Sequence, residues 1–261
     1  MLAKLSGVAA DGVVLDLEDS VAPADKDAAR DAIRAAALPE GDRPAWMVRV
    51  NPLGTSWHEG DLALCFEIGA PRVVLPKAED PEAVADLARR CERAGARVGL
   101  VLETAGGVGR ARALLAAHPG VDLAIYGAAD YRLSIGARPA AERTWERHAL
   151  AEILLAARMS ECTAIDAVYF RYRDRDGLLR EAAVARELGF DGKSCIHPDQ
   201  IAPIHEIFSS TPDELEWAVN VRRAWADQDG DRQGVAVLDG EMIEALHLRL
   251  ADRILARAPG R

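Results

Sequence analysis

Two short stretches, V-G-L-V-L-E-T-A-G-G (98–107) and V-D-L-A-I-Y-G-A-A-D (121–130), decide how this chain is interpreted. Each contains an apolar run typical of a strand that is buried on both faces in a parallel sheet. Glu103 ends the first run and Asp130 closely follows the second. Because parallel strands carry their chemistry at their carboxyl ends, both carboxylates are predicted to lie on a catalytic face.

The spacing of Glu103 and Asp130 leaves two interpretations open. Neither has a cation beside it in the sequence, so the pair favours oxygen ligands for a hard divalent ion. Alternatively, Glu103 caps the helix that follows it and Asp130 bonds local backbone amides.

Apolar runs alternate with helical patterns along the chain, which predicts βαβ units and a (β/α)8 barrel of the TIM type. Seven strands are predicted, and residues 1–9 read as a helix directly before the first of them. Two alternatives stay open: a barrel that lacks its first strand and is closed in another way, or a chain that starts downstream of that strand. Residues 1–205 form the barrel and 206–261 a C-terminal helical lid. In the lid we predict a helix over 214–226, a loop over 227–234, a short segment over 235–242 and a helix over 243–258. The predicted strands are 13–17, 46–50, 72–76, 98–103, 121–127, 165–169 and 192–196.

Composition narrows the possible partners and the compartment. A net charge of -10 argues against nucleic acid, and no apolar run approaches the ~18 residues of a membrane span. The cysteines contain no C-x-x-C pair, so reduced thiols in a cytoplasmic protein are expected. They are Cys65, Cys91, Cys162 and Cys195.

A cluster of charges follows the first predicted strand. Asp16, Glu18 and Asp19 are costly together unless a cation, a metal or water compensates them. Lys26 and Arg30 stand four apart and share a helix face. The alternative is an acidic helix start followed by ordinary surface cations.

Arg49 lies within the otherwise apolar strand W-M-V-R-V-N-P. It is suited to bidentate recognition of a carboxylate, or it forms a structural ion pair with Asp16 or Glu18. Lys77 as a Schiff-base lysine and His197 as a base have no further support in the sequence, and a His followed by Pro is more often structural.

Six longer motifs occur in order: 13–30, 48–53, 73–79, 102–108, 126–131 and 187–201. Together with D-G-E-M-I-E (239–244), they resemble the citrate lyase beta subunit-like (CitE-like) branch of the HpcH/HpaI aldolase superfamily. The resemblance implies a Mg²⁺-dependent carbon–carbon lyase that cleaves a 3-hydroxyacyl thioester such as citryl-, malyl- or citramalyl-CoA. The products would be an acyl-CoA and a 2-oxoacid, or the reaction would run in reverse. A thioester hydrolase on the same scaffold and a catalytically silent subunit or binding protein remain alternatives.

The resemblance also implies roles for individual residues. Glu103 and Asp130 would hold Mg²⁺, while Arg49 and the backbone N–H groups of Ala128 and Ala129 would bind the oxoacid beside them. Asp19, with Glu18 behind it, would organise metal-bound water, and Lys26 and Arg30 would bind the CoA phosphates. The resemblance also implies a homo-oligomer, with a trimer favoured, in which Glu244 of a neighbouring subunit supplies a carboxylate to the site.

Three positions depart from the family pattern. Glu244 stands where the family has an aspartate, Arg171 replaces the first acid of a D-x-x-D motif, and Ser134 replaces the Asp of a D-L-G motif. These changes predict retuned or lost lyase chemistry.

Overall fold

A computed structural model describes residues 7–38, 44–138, 143–256 and 258. The chain divides into two compact units, Met1–Ile204 and His205–Arg261. The predicted N-terminal helix lies mainly on residues 1–6, outside the described residues, and Val8 and Ala9 are not helical. No helix in the described ranges has both the length and the apolar character needed to cross a bilayer.

The first unit is built on a seven-stranded, all-parallel sheet in which neighbours in sequence are neighbours in space. This is a TIM-barrel-type fold with seven of the eight strands, as the sequence predicts. The strands are β1 (Gly12–Asp16), β2 (Ala45–Arg49), β3 (Arg72–Leu75), β4 (Arg97–Leu102), β5 (Val121–Tyr126), β6 (Thr163–Asp166) and β7 (Gly192–Lys193).

Helices connect successive strands, as the Ala-, Leu- and Arg-rich segments predict. The helix after β3 shows why: Asp80 caps it by accepting from the N–H groups of Glu82 and Ala83, and Pro81 begins it. The helices of this unit are α1 (Lys26–Arg34), α2 (His58–Glu67), α3 (Pro81–Arg93), α4 (Ala105–Gly109), α5 (Ala111–Leu115), α6 (Ala128–Ser134), α7 (Arg147–Met159) and α8 (Arg175–Leu188), with α9 (Ile201–Phe208) at its C-terminal end.

One face of the sheet carries an apolar cluster drawn from alternate positions of β2 to β6. Arg49, Glu103 and Gly127 lie two residues beyond members of this cluster, so the strand alternation keeps them on the same face. Arg49 and Glu103 therefore lie next to this apolar cluster, toward the carboxyl ends of the strands. The cluster consists of Met47, Val74, Val101 and Leu123, with Ile125 and Ile165 packed against it.

The second unit packs two long helices and a β-hairpin around its own core. Its elements are α10 (Pro212–Asp227), α11 (Gly230–Gln233), β8 (Val235–Leu238), β9 (Glu241–Glu244) and α12 (Ala245–Ala256). The core consists of Ala218, Val221, Ala224, Trp225, Ala236, Ile243 and Ala251.

Two sequence predictions for this unit were wrong. The predicted loop 227–234 contains the short helix α11, and Ile243 and Glu244 belong to β9 rather than to the last helix. The physical reason for the second error is a hairpin: Asp239 and Gly240 adopt φ values of 51° and 84°, as a two-residue turn requires. An Asp-Gly pair between apolar runs is the signal that would have identified it.

Candidate active site

Carboxylates from three strand ends meet around Lys77, which follows β3. Its Nζ is paired with the carboxylate of Glu18, lies 3.0 Å from Asp19 Oδ2 and lies 4.0 Å from Asp130 Oδ2. The backbone N–H of the same residue donates to Glu103 Oε1 at 2.9 Å. The sequence-predicted acids therefore do lie together, and a lysine that the sequence analysis set aside lies between them.

Lys77 adopts a backbone conformation that L-residues rarely use, with φ 52°. Such a conformation in a residue other than glycine costs roughly 1–2 kcal/mol and persists only where the surroundings enforce it. Burial alone would lower the pKa of Lys77, but the hydrogen bonds to Glu18 and Asp19 raise it above the ordinary lysine value. The side chain is therefore held as a cation.

Glu103 is buried, with 3% of its surface exposed. It fits because residue 127 is glycine: a Cβ at Gly127 would overlap the Cβ and carboxylate of Glu103. Burial, and then the nearby carboxylates of Glu18 and Asp130, raise the pKa of Glu103 to about 7, against the opposing hydrogen bond from the Lys77 N–H. Burial is thus the main penalty on a charged Glu103, and the like charges of the neighbouring carboxylates add to it.

Glu103 does not cap the helix that follows it, so that alternative is wrong. The N-cap of α4 is Thr104, whose hydroxyl accepts the N–H of Gly107 at 2.9 Å. Asp130 lies in the first turn of α6, with its side chain about one-third exposed.

Ala128 and Ala129 are the first two residues of α6. The first N–H groups of a helix have no intrahelical acceptor, so these two form a donor pair at the N-terminus of α6, beside Asp130. They are therefore available for the anion-binding role that the family resemblance implies.

Arg49 pairs with the acids at the end of β1. Its Nε and Nη2 donate to the two oxygens of Asp16 at 2.7 and 2.6 Å, and its Nη1 lies 3.0 Å from Glu18 Oε2. Burial opposes a charged Arg49, yet these bonds raise its pKa above the ordinary arginine value. The structural ion pair is thus present, and a role in substrate binding stays a prediction.

The residues present fit a divalent cation. Glu18 Oε2 is buried and receives no hydrogen bond of good geometry, although Arg49 Nη1 lies 3.0 Å from it. Burial first, and then the carboxylates of Glu18 and Asp130, raise the pKa of Glu103, which a bound cation would oppose. Within the described residues, no group of three or more His, Cys, Asp or Glu side chains is placed to hold one metal. Glu103 and Asp130, which the family resemblance implies as ligands, would hold Mg²⁺ together with water and substrate, as this ion commonly prefers.

Lys26 and Arg30 are already engaged by protein groups, and their contacts with CoA phosphates stay a prediction. Lys26 is 4% exposed, and its Nζ donates at 2.7 Å to each of three acceptors, Leu17 O, Glu18 O and Asn51 Oδ1. All three ammonium donors are thereby used inside the protein. Arg30 is likewise engaged by Asp27 and, at 2.7 Å, by Asp61 Oδ1.

A cleft of about 320 Å³ opens beside the carboxylates and was not predicted. Trp57 forms part of its wall, with its ring 5.2 Å from the Lys26 ammonium. The V-L-P-K sequence at a strand end was the available signal for Lys77, whereas nothing in the local sequence indicated Trp57. The lining residues are Glu18, Asp19, Val21, Ala22, Pro23, Lys26, Asn51, Pro52, Thr55, Trp57 and Lys77.

Two of the remaining candidates have contacts that define them. His197 caps a 3-10 turn through Nδ1, which accepts the Asp199 N–H at 3.2 Å, so its role here is structural. The Ser134 hydroxyl accepts the N–H of Ala105 at 2.9 Å and ties α6 to the start of α4.

Two departures from the family pattern and the cysteines complete the set. Arg171 is largely exposed and lies over the ring of Tyr169. Glu244 ends β9 in the second unit, where its N–H donates to His247 Nδ1. All four cysteines are free thiols.

The fold and this cluster define a TIM-barrel-type protein with an acidic site at the carboxyl ends of its strands. Residues 1–198 match the model of the HpcH/HpaI aldolase/citrate lyase family, and residues 142–259 match that of a C-C bond lyase of the TIM-barrel fold. The chain belongs to the HpcH/HpaI aldolase/citrate lyase family.

Three similar proteins cover nearly the whole chain. A (3S)-malyl-CoA thioesterase from Cereibacter sphaeroides is 37% identical over 98% of this chain and 90% of its own length. A citrate lyase subunit beta-like protein from Mycobacterium tuberculosis is 36% identical over 97% of this chain and 89% of its own length. The crystal structure of CitE from M. tuberculosis with magnesium, acetoacetate and coenzyme A has a TM-score of 0.78 at 35% identity, covering 94% of this chain and 89% of that one.

The buried charge of Glu103 predicts a pH-dependent stability in metal-free protein. Its pKa is about 7 in the folded state against an ordinary value of 4.5, so its contribution to stability is complete below pH 4.5 and is lost as the pH rises through 7. Glu103→Gln should therefore raise the free energy of unfolding at pH 8 by about 3 kcal/mol relative to wild type, and by little at pH 4.5. Urea unfolding in EDTA measures this.

The exposed Glu82 supplies the matched control. Glu82→Gln should leave the free energy of unfolding unchanged at both pH values. If Glu103→Gln and wild type had the same free energy of unfolding at pH 8, burial and the neighbouring carboxylates would impose no penalty on a charged Glu103, and the prediction would be refuted.

Proposed function

We propose that this protein is a Mg²⁺-dependent carbon–carbon lyase that acts on a 3-hydroxyacyl thioester such as citryl-, malyl- or citramalyl-CoA. The products are an acyl-CoA and a 2-oxoacid, and the reverse reaction uses the same groups. The observation that carries the proposal is the convergence of buried Glu103 with Asp130 at the ends of β4 and β5. The CitE structure with magnesium, acetoacetate and coenzyme A supports it, because that protein is 35% identical to this chain.

The cleavage needs an electrophile and a base. Mg²⁺ held by Glu103 and Asp130 would make the 3-hydroxyl of the oxoacid portion more acidic and, in the reverse reaction, would polarise the carbonyl that the enolate attacks. The N–H groups of Ala128 and Ala129, at the N-terminus of α6, would hold the carboxylate of that portion. Arg49 would add a cationic donor through the second N–H of Nη1, since Nε and Nη2 donate to Asp16 and Nη1 lies 3.0 Å from Glu18 Oε2.

Asp19, the exposed carboxylate of the cluster, would carry out the acid–base step. Asp19 is 65% exposed in its side chain and is held by Lys77, so it can receive the 3-hydroxyl proton while Glu18 stays buried behind it. Loss of that proton and breakage of the C–C bond leave an electron pair on the thioester carbon fragment as an enolate. The proton that Asp19 accepted is then transferred to the enolate carbon, which gives the acyl-CoA and restores the Asp19 carboxylate.

Thioester hydrolysis is the second candidate. The (3S)-malyl-CoA thioesterase matches this chain over 98% of its length, which favours this reaction. Water would then attack the thioester carbonyl, and the C–S bond rather than the C–C bond would break. The same Asp19 carboxylate would accept the proton of the attacking water.

Product analysis separates these reactions. Purified protein with Mg²⁺ is incubated with malyl-, citramalyl- and citryl-CoA, and the products are resolved by chromatography. We expect acetyl-CoA and a 2-oxoacid, with at least about a hundredfold loss of rate in Glu103→Ala because one of two metal ligands is gone. The control Asp86→Ala removes an exposed carboxylate that pairs with Arg89 and should match wild type.

The other outcomes of this assay are equally informative. Free CoA and hydroxyacid without acetyl-CoA would establish the hydrolase and refute the lyase. No turnover of any thioester would favour a catalytically silent member of the family.

We also propose a homo-oligomer, with a trimer favoured by the family resemblance. One face of the β8–β9 hairpin carries Val235, Val237 and Met242, which are 37%, 53% and 61% exposed. Glu244 stands opposite Val235 on the same hairpin. An apolar hairpin face of this kind is suited to packing on a second copy, which would place Glu244 near another chain's metal site.

A carboxylate supplied by a neighbouring subunit predicts complementation. Glu244→Ala and Glu103→Ala proteins, each inactive alone, should regain part of the wild-type rate when mixed, because some sites combine two intact halves. Subunit exchange is verified by native mass spectrometry with isotope-labelled chains. A monomer at the assay concentration, or a mixture that stays inactive after exchange, would refute the shared site.

A further inference from the structure

One residue connects all the carboxylates of the proposed metal site. The ammonium of Lys77 contacts Glu18 and Asp19 after β1 and approaches Asp130 on α6, while its backbone N–H holds Glu103 after β4. We propose that Lys77 is a positioning residue that holds the carboxylates of Glu18 and Asp19 in place. Its positive charge also lies beside Asp130, where it repels a divalent cation that binds there. This inference rests on the proposed metal site and assigns that site a further component.

The contacts distinguish this role from that of an ordinary surface lysine. Two carboxylates lie within 3.0 Å of Nζ, and a third lies at 4.0 Å. Glu18 has almost no contact with solvent, with 2% of its side chain exposed, so its charge depends on the protein for compensation. Arg49 lies 3.0 Å from the other oxygen of Glu18, but it is also committed to both oxygens of Asp16. Lys77 is therefore the cation that contacts both the buried carboxylate of Glu18 and the exposed carboxylate of Asp19.

The backbone of Lys77 has a separate part in the arrangement. Its left-handed conformation, φ 52°, accompanies an N–H that points to Glu103 Oε1. A single residue thus orients a metal-site carboxylate through its main chain and two further carboxylates through its side chain. Asparagine tolerates this conformation better than most residues, and glycine adopts it freely, so substitutions can separate the two functions.

A Schiff-base role for Lys77 does not fit the geometry. Formation of an imine requires a neutral amine, whereas this ammonium lies between two carboxylates that stabilise its charge. The same charge has a consequence for the metal: an ammonium close to Asp130 repels a divalent cation bound there. Removing it should tighten Mg²⁺ binding and, by releasing Glu18 and Asp19, should slow the reaction.

The test compares Lys77→Asn with Lys77→Arg by isothermal titration of Mg²⁺ into the full chain at pH 8.5, followed by steady-state kinetics. Lys77→Asn should bind Mg²⁺ about tenfold more tightly than wild type. Its kcat should fall at least about tenfold, with a change in KM below about threefold, because the proton-accepting carboxylate and not substrate binding is disturbed. Lys77→Arg keeps the charge and should retain the wild-type Mg²⁺ affinity and part of kcat.

Arg89→Asn is the matched control, since it removes one exposed cation from α3 and should leave Mg²⁺ binding and kcat unchanged. If Lys77→Asn does not fold, Lys77→Gly carries the same expectations. Unchanged or weaker Mg²⁺ binding by these variants, with wild type binding Mg²⁺ normally, would overturn the role of Lys77 alone. A wild-type protein that binds no Mg²⁺ would overturn the proposed metal site together with this inference.

Discussion

Repulsion among carboxylates at the carboxyl ends of the strands is the constraint on which the site depends. Glu18 and Glu103 are both buried, and Asp130 is close enough to Glu103 to raise its pKa further. Such a cluster persists only if cations oppose it, and Lys77 and Arg49 do so incompletely. The remaining imbalance is what suits the site to a divalent ion and to a substrate that brings its own charge.

A second buried charge cluster in the same unit shows a carboxylate that two cations hold directly. Asp166 is completely buried, yet it accepts from Lys193 at 2.7 Å and from both terminal nitrogens of Arg143 at 2.9 and 2.8 Å. Burial opposes its charge, but these two cations hold the pKa of Asp166 below its usual range. The pKa values of Asp166 and Glu103 shift in opposite directions because two cations donate to Asp166, whereas Glu103 accepts the backbone N–H of Lys77 and faces two other carboxylates.

The sequence predicted the fold well because its signals are local. The strands β1 to β5 each contain a short apolar run. Pro81, and the capping box of Thr211 and Glu214, each mark the start of a helix in a recognisable way. The wrong start of the last helix came from a turn signal in the sequence that was not used. Asp239-Gly240 forms the turn of a hairpin, and the last helix therefore begins after Glu244.

The sequence predicted those residues of the site that directly follow a strand, but not the contacts between residues that are distant in sequence. Glu103 and Asp130 follow apolar runs, so their common location was correctly expected. The bonds of Lys26 depend instead on carbonyl groups of Leu17 and Glu18 and on Asn51, which the folded chain brings to it from distant positions. Lys77 was undervalued for a related reason, because its partners lie 58 and 59 residues away in sequence.

The central claim, that these carboxylates form a divalent-cation site, is tested most directly by anomalous diffraction from crystals grown with Mn²⁺ in place of Mg²⁺. The account predicts a single strong manganese peak at each site, within bonding distance of the carboxylates of Glu103 and Asp130 and separate from the Lys77 ammonium. A manganese peak bound elsewhere, or density in which Glu103 and Asp130 contact only protein groups, would contradict it.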